Sequence, residues 1–364
     1  MLLYRSVSAN FLYFMIKQLL VSILVKKRAH SQNKSLQRKT NKKLSRSEKQ
    51  EVAAHWGTLN SGAINCFQFY KSFGVFNPKL VPNDIYANAE RLLNPFRYSL
   101  FAQHKCCLKY FLPAEYRPKT ILQNIDNHYL DKNDKVITLS QAVSIAEQYD
   151  CFMIKIAAGS GGGRGIRKVY KGEDIASIFA DYHKDFICQE VLKEHQTLAQ
   201  FNPECINTIR LLSLNINDRC DVLSAFVRMG GKGSIVDNLH SEKGGGCLVG
   251  INPEGKLAPF GINKVYKVVK ETPMGDSFDG LQIEHYDEIV DFIKNCHQKY
   301  FPFANLIGWD VIIDESAHPI VIEINLDSAD IAAHQIFNGP VFGERTDEVL
   351  EYMTLNAQKL VVRI

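Results

Sequence analysis

The stretch Ile307–Asn325, Ile-Gly-Trp-Asp-Val-Ile-Ile-Asp-Glu-Ser-Ala-His-Pro-Ile-Val-Ile-Glu-Ile-Asn, constrains the fold more than any other part of the chain. Two β-rich runs, 307–313 and 320–325, flank a polar loop that contains Pro319. That is the pattern of a hairpin with a longer-than-minimal loop. Pairing Ile313 with Ile320 sets Asp310 directly opposite Glu323. Side chains alternate along a strand, so Val321, Glu323 and Asn325 share one face. Ile320, Ile322 and Ile324 take the other, the expected core face, together with Trp309, Val311 and Ile313. Two carboxylates facing each other repel and weaken a sheet unless something offsets the charge. A hard divalent cation would do so, and Mg²⁺ favours one or two carboxylates plus substrate phosphates. Asn325 adds a neutral oxygen on the same face. Asp310, Glu323 and Asn325 are therefore candidate metal ligands. The competing reading is an exposed hairpin whose polar face meets water.

Upstream, the apolar strand Cys151–Ile156 carries Lys155 and runs into Gly159, Ser160, Gly161, Gly162, Gly163, Arg164 and Gly165, after which a second strand, Ile166–Tyr170, begins. Consecutive glycines let backbone N–H groups converge on an anion, because no Cβ blocks the approach. The loop is not a Walker A sequence, and no helix follows it as in a dinucleotide fingerprint. A plain flexible turn is the alternative. Phe186–Leu192 reads as a strand carrying Gln189, Glu190, Val191 and Leu192. Asn202-Pro203 precedes Asn207-Thr208-Ile209-Arg210 at the entrance to another strand. The Arg210 guanidinium is always charged and forks onto phosphate oxygens, although a salt-bridged core arginine is the alternative. Arg228 ends the strand Asp221–Arg228. A second glycine-rich region follows, with Val236-Asp237-Asn238 and Lys243-Gly244-Gly245-Gly246.

An Asp on one strand with Glu-x-Asn on the next, a lysine-bearing strand before a glycine flap, and Asn-Pro followed by Asn-Thr-Ile-Arg together resemble the ATP-grasp superfamily. Among its members the chain is most similar to the sugar-transfer-associated ATP-grasp family of surface-polysaccharide gene clusters, over about residues 60–345. The resemblance implies an α+β fold in which two α+β subdomains sandwich the nucleotide, with ATP and one or two Mg²⁺ ions as cofactors. It implies that Lys155 and the flap glycines cover phosphates, and that Glu190 and Leu192 meet adenine largely through backbone. Arg210 would clamp the transferring phosphate, and Arg228 and Asn238 would contact nucleotide or acyl phosphate. Lys105 matches the family's phosphate-reaching lysine before an Arg-Pro-Lys strand, here Arg117-Pro118-Lys119. His104 stands where the family has Asp. Lys243, His195, His334 and Gln335 are candidates for the substrate side.

At 364 residues the chain holds one large domain or two ordinary ones. Its +4 net charge hides an asymmetry: residues 1–50 contain twelve Lys/Arg against Glu48 alone, which leaves the body mildly acidic. The expected divisions are a basic extension 1–50, an N-terminal subdomain 51–150, a flap subdomain 151–200, a Mg/ATP subdomain 201–345 and a closing helix 346–364. Residues 11–25 are apolar but interrupted by Lys17 and Gln18, too polar for a confident transmembrane helix. The basic run after them suits a helix on an anionic cytoplasmic leaflet, or a helix packed on the body. Nucleic-acid binding lacks a fold signature. Nine cysteines without metal spacing suggest reduced thiols in a cytoplasm. Three functions are consistent with these motifs. The first is a ligase that activates a carboxylate as acyl phosphate for attack by an amine, with a sugar acid and glycosyltransferase pathway partners implied by the resemblance. The second is a kinase acting on a hydroxyl, and the third a membrane-surface scaffold without catalysis.

Overall fold

The computed structural model describes residues 42–57, 61–94, 96–159, 163–183, 185–234, 237, 245–327 and 329–356. The apolar segment 11–25 and most of the basic extension lie outside the described residues. The chain divides into two units: Met1–Tyr98 with Phe303–Leu306 and Asp327–Ile364, and Ser99–Pro302 with Ile307–Leu326.

The first unit is helical. Its helices are Arg46–Trp56, Ser61–Lys71, Asn83–Leu93, Ile331–Asn338 and Thr346–Leu355. Ser45 and Glu48 form a capping box at the start of the first. Phe67, Phe69, Tyr70 and Phe342 are fully buried here. Gln335 is buried among them: its Oε1 accepts from the Val81 N–H at 2.7 Å, and its Nε2 donates to the Tyr70 hydroxyl at 2.9 Å. A buried amide so committed is a packing staple, which corrects its expected role as a substrate contact. His334 beside it is also fully buried.

The second unit contains two sheets. In one, the strands are β1 (Thr120–Ile125), β2 (His128–Asp131), β3 (Val136–Ile137), β4 (Cys151–Ile156), β5 (Ile166–Tyr170) and β6 (Phe186–Gln189), in the spatial order β3-β2-β1-β6-β4-β5. Strands from the expected 51–150 and 151–200 subdomains thus share one sheet. Its core gathers Leu122, Phe152, Ile154, Phe179 and Phe186. The strand expected through Leu192 ends at Gln189, although the Glu190 N–H still bonds the Lys119 carbonyl at 3.0 Å, one position beyond the Thr120–Gln189 pair. The helix Leu139–Ala146 is capped by a box of Thr138 with Gln141.

The other sheet holds β7 (Thr208–Ile216), β8 (Arg219–Met229), β9 (Cys247–Ile251), β10 (Leu257–Asn263), β11 (Val268–Val269), β12 (Leu306–Ile313) and β13 (Pro319–Asn325), in the order β11-β10-β9-β8-β7-β12-β13. β12 is buried along its whole length, as its apolar composition demands. Trp309 donates to the Ser213 hydroxyl at 2.7 Å, and Ser213 in turn lies 2.7 Å from His297 Nδ1, so these three buried polar groups are paired. His297 belongs to the helix Tyr286–Tyr300, which packs on β7 and β8. It begins at Tyr286, after His285 in a left-handed conformation with φ 54°.

The hairpin pairs Asp310 with Glu323, but Ile313 faces Pro319 and Ile312 faces Ile320. A bulge between Asp310 and Val311 reconciles the two registers and leaves Ile322 as the extra residue. The bulge turns Val321 inward, where it is fully buried, and leaves Ile322 half-buried. The core face of β13 is therefore not the simple Ile320-Ile322-Ile324 stripe expected from strict alternation.

Candidate functional site

Both sheets of the second unit contribute to one cluster of charges. Lys105 opens the 3₁₀ helix Lys105–Tyr110, and its N–H donates to the Ala157 carbonyl at 2.9 Å. Cys106, Ala157 and Ile187 pack beneath as a small apolar anchor. From this footing Lys105 Nζ reaches Glu323 Oε2 at 2.9 Å. Lys155 projects from β4 on the face opposite the buried Phe152 and Ile154. Its burial, helped by the neighbouring charge of Lys105, pushes its amine down to about 8.

Arg210 on β7 and Asp310 on β12 are both buried and joined by a fork: Nε to Oδ1, and Nη2 to Oδ2 at 2.9 Å. Arg228, near the end of β8, faces two acids. Its Nη1 lies 3.4 Å from Asp310 Oδ2, and its Nε lies 3.4 Å from Asp237 Oδ2. Burial alone would raise the Asp310 carboxyl, but Arg210 and then Arg228 outweigh it and hold the group below its usual range. Asp237 goes the other way: burial dominates over the pull of Arg228 and lifts it to about 6. Arg228 is itself driven upward, since Asp237 and Asp310 overcome its own desolvation.

The repulsion between Asp310 and Glu323 is thus offset by Arg210, Arg228 and Lys105. This corrects the expectation that a metal is what must offset it. The acids nonetheless fit a hard cation. Asp310 and Glu323 are cross-strand partners, and Asn325 donates through Nδ2 to the Gly308 carbonyl at 3.5 Å, which leaves its Oδ1 as the acceptor. Two carboxylates and one amide oxygen suit Mg²⁺ when phosphate oxygens complete the shell. Among the described residues no group of three or more His, Cys, Asp and Glu side chains forms a self-sufficient metal site.

Of the other expected site residues, Gly159, Gly163 and Gly165 have φ of 69°, 71° and 70°, conformations that favour glycine. A Cβ on Gly165 would sit 2.2 Å from Ile156 Cδ1. Gln189 is buried on β6. The Glu190 N–H is already bonded to the Lys119 carbonyl, and Val191 and Leu192 follow it outside the strand. Ser160, Gly161, Gly162, Asn238 and Lys243 lie outside the described residues. His195 is a helix cap whose Nδ1 accepts from the Thr197 N–H at 3.3 Å, and its own N–H donates to the Ile313 carbonyl at 2.9 Å.

Two residues, Asp237 and Glu194, were missed as contributors. Asp237 hid inside the glycine-rich run, although the acid in Val-Asp-Asn was visible. Glu194 accepts from the Asn207 N–H at 2.5 Å and from Asn207 Nδ2 at 2.9 Å, yet burial raises it to about 8. Asn207 Nδ2 also bonds the Leu198 and Asn202 carbonyls, and Asn202 Nδ2 bonds the Gly230 carbonyl at 2.8 Å. The Asn-Pro…Asn-Thr-Ile-Arg motif is therefore a buried knot. It ties the loop before β7 to the Gly230-Gly231 turn that follows Arg228.

Residues 173–351 match the family model described as sugar-transfer associated ATP-grasp. The match takes in Arg210, Arg228 and the β12–β13 hairpin, while Lys105, Lys155 and the flap precede it. No curated protein matches the sequence. Among solved structures, D-alanyl-alanine synthetase A from Vibrio cholerae is similar at 13% identity over 72% of this chain and 66% of its own, with a TM-score of 0.43. VanG D-Ala:D-Ser ligase from Enterococcus faecalis is similar at 13% identity over 70% and 62%, with a TM-score of 0.43. The ATP-grasp ligase PsnB, complexed with minimal precursor, is similar at 12% identity over 71% and 64%, with a TM-score of 0.39. The chain spans less than two thirds of these proteins' own lengths by these measures. The sequence similarity to the sugar-transfer associated ATP-grasp family thus lies in residues 173–351, just under half of the chain.

Proposed function

We propose that the chain is an ATP-dependent ligase that activates a carboxylate as an acyl phosphate and passes the acyl group to an amine. The observation that carries this reading is the paired arrangement of four cations and three acids where the two sheets of one unit meet. Lys105, Lys155, Arg210 and Arg228 offer a dense field for a polyphosphate. The guanidiniums bind its oxygens in fixed geometry, and the buried setting strengthens each contact. Asp310, Glu323 and Asn325 would hold Mg²⁺, which supplies Lewis-acid neutralisation of phosphate charge when bound. In the proposed reaction the substrate carboxylate oxygen bonds to the γ-phosphorus as the bond to ADP breaks. The amine nitrogen then bonds to the acyl carbon, and phosphate leaves. Arg210 and Arg228 orient and neutralise the transferring group, and no covalent enzyme intermediate is required. The nine cysteines are all free thiols, and burial pushes Cys106, Cys205, Cys247 and Cys296 up to about 12, which suits inert core residues rather than nucleophiles.

We extend the proposal to a sugar acid as the carboxylate and to a place in surface-polysaccharide synthesis alongside glycosyltransferases, which the family description supports. Work at the inner face of a membrane belongs to the same proposal. Among the described residues no helix is long and apolar enough to cross a membrane. The test is the melting temperature with ATP and Mg²⁺, with ATP and chelator, and with Glu323→Gln in both. A ligand at 100 times its Kd adds about 2.7 kcal/mol. A Mg²⁺-dependent rise of several degrees, lost in the variant, is the expected result and leads to assays of amine-dependent ADP release. No shift with any nucleotide refutes the proposal.

A further inference from the structure

The carboxylates suited to a divalent cation already have protein partners in the structure. Asp310 gives both oxygens to the Arg210 fork, and its Oδ2 also faces Arg228 at 3.4 Å. Glu323 gives Oε2 to Lys105 at 2.9 Å. Lys105, Lys155, Arg210 and Arg228 face Asp237, Asp310 and Glu323, so the cluster holds one positive charge in excess. A dication entering alone meets net repulsion and must also break charge-assisted hydrogen bonds that salt screens poorly at this depth. A polyphosphate meets the opposite field. It can take Lys105 and Arg210 onto its own oxygens, and in doing so it strips both acids of their counter-charges.

Resting on the nucleotide reading above, we infer that Lys105 and Arg210 lock the metal ligands, and that a nucleoside polyphosphate opens the lock by drawing these two cations onto its phosphates. Metal and nucleotide affinity are then strongly and reciprocally coupled, with nucleotide leading. The lock also keeps the acids from holding adventitious cations. Arg228 remains anchored by Asp237 when Asp310 turns to the metal, which gives the otherwise unexplained Asp237 a part as standby counter-ion.

The test uses Mn²⁺ as the metal probe, followed by the paramagnetic resonance of free Mn²⁺, and ADP as the nucleotide, with Mn²⁺–ADP association measured separately without protein. The full chain is compared as wild type, Lys105→Met and Lys105→Met/Glu323→Gln, with Lys105→Gln as a second single variant should the first not fold. Lys105→Met is expected to bind Mn²⁺ without nucleotide about tenfold more tightly than wild type, a difference of about 1.4 kcal/mol. The same variant is expected to bind ADP without metal more weakly. Glu323→Gln added to it removes the gain. Opposite changes in the two affinities cannot come from general damage to the fold. Mn²⁺ binding to the single variants that is no tighter than to wild type overturns the inference, as does wild type that takes Mn²⁺ equally well with and without ADP. Wild type that binds no ADP under any condition overturns the nucleotide reading instead, and the Mn²⁺ comparison still decides whether Lys105 guards Glu323.

Discussion

Replacing Asp310 by Asn gives a sharp reading of how the cluster is held together. Arg210 and Asp310 are about equally buried, with side chains 7% and 8% exposed. The substitution keeps the shape of the side chain but leaves the Arg210 charge buried without its fork partner. Removing one member of a buried pair costs about 3–5 kcal/mol, because the surviving charge has lost its water and its counter-ion together. Arg228 retains Asp237, so the lower end of that range applies, about 3 kcal/mol. For a body of this size each kcal/mol moves the melting temperature by about 2–4 °C, which predicts a fall of about 6–12 °C by circular dichroism without ligand. A double variant, Arg210→Met with Asp310→Leu, removes the orphaned charge and should regain most of the loss, since apolar replacements of a buried pair are often neutral. An Asp310→Asn protein melting within 2 °C of wild type would refute the claim that this pair is desolvated and structural. A double variant no more stable than the single would refute the charge-based account of the loss.

Other outcomes follow from the same geometry. Glu194 has its pKa raised by burial from 4.5 to about 8. Below pH 4.5 both folded and unfolded chains hold its proton. Between 4.5 and 8 only the folded chain does, so stability falls as pH rises, with a slope approaching about 1.4 kcal/mol per unit. Urea titrations between pH 6.5 and 8 should show that fall in wild type, and Glu194→Gln should flatten it. Lys155 has the opposite sign: its amine is lowered from 10.5 to about 8, so the cost of burying it is relieved as pH rises from 8 toward 10.5. Lys155→Met should abolish that high-pH gain while weakening ATP binding in calorimetry. Asn202→Ala breaks the bond to the Gly230 carbonyl and leaves it buried, at a cost of about 1–3 kcal/mol in chemical denaturation. Gly165→Ala places a Cβ against Ile156 at φ 70°, and should lose about 1–2 kcal/mol and raise the KM for ATP.

How much of this was legible beforehand differs from residue to residue, for physical reasons. The Asp310–Glu323 pairing could be read because strand periodicity and a proline-bearing loop leave few registers open. The bulge could not, because an extra residue between two isoleucines leaves the apolar pattern almost unchanged. The strands around the flap were legible from their apolar runs, whereas the end of β6 at Gln189 was not, because Val191 and Leu192 continue the apolar composition past it. Lys155, Arg210 and Arg228 could be read as anion-binding residues from charge placed inside apolar strands, where an unpaired cation is costly. Their resting partners could not, since a sequence shows which charges must be answered but not by whom. Gln335 shows the reverse limit: a polar residue near an expected site looks available until the fold encloses it, and here both ends of its amide are used to hold Val81 and Tyr70.

The feature with most consequence is that the same residues carry two incompatible sets of contacts. In the structure, Arg210 and Lys105 satisfy Asp310 and Glu323. In the liganded state the proposed function assigns the cations to phosphate and the acids to metal. Neither set can be strengthened without weakening the other, because every contact made tighter at rest must be broken on binding. Asp237 and the Asn202–Asn207 knot stand outside that exchange. They hold Arg228 and the Gly230-Gly231 turn by contacts that binding has no reason to break. Variants of the exchanging acids should therefore lower stability while raising ADP affinity without metal, whereas variants in the fixed set should lower both together. A plot of melting temperature against metal-free ADP affinity across Glu323→Gln, Asp310→Asn, Asp237→Asn and Asn202→Ala separates the two classes, and a single common trend would show that the cluster does not exchange partners at all.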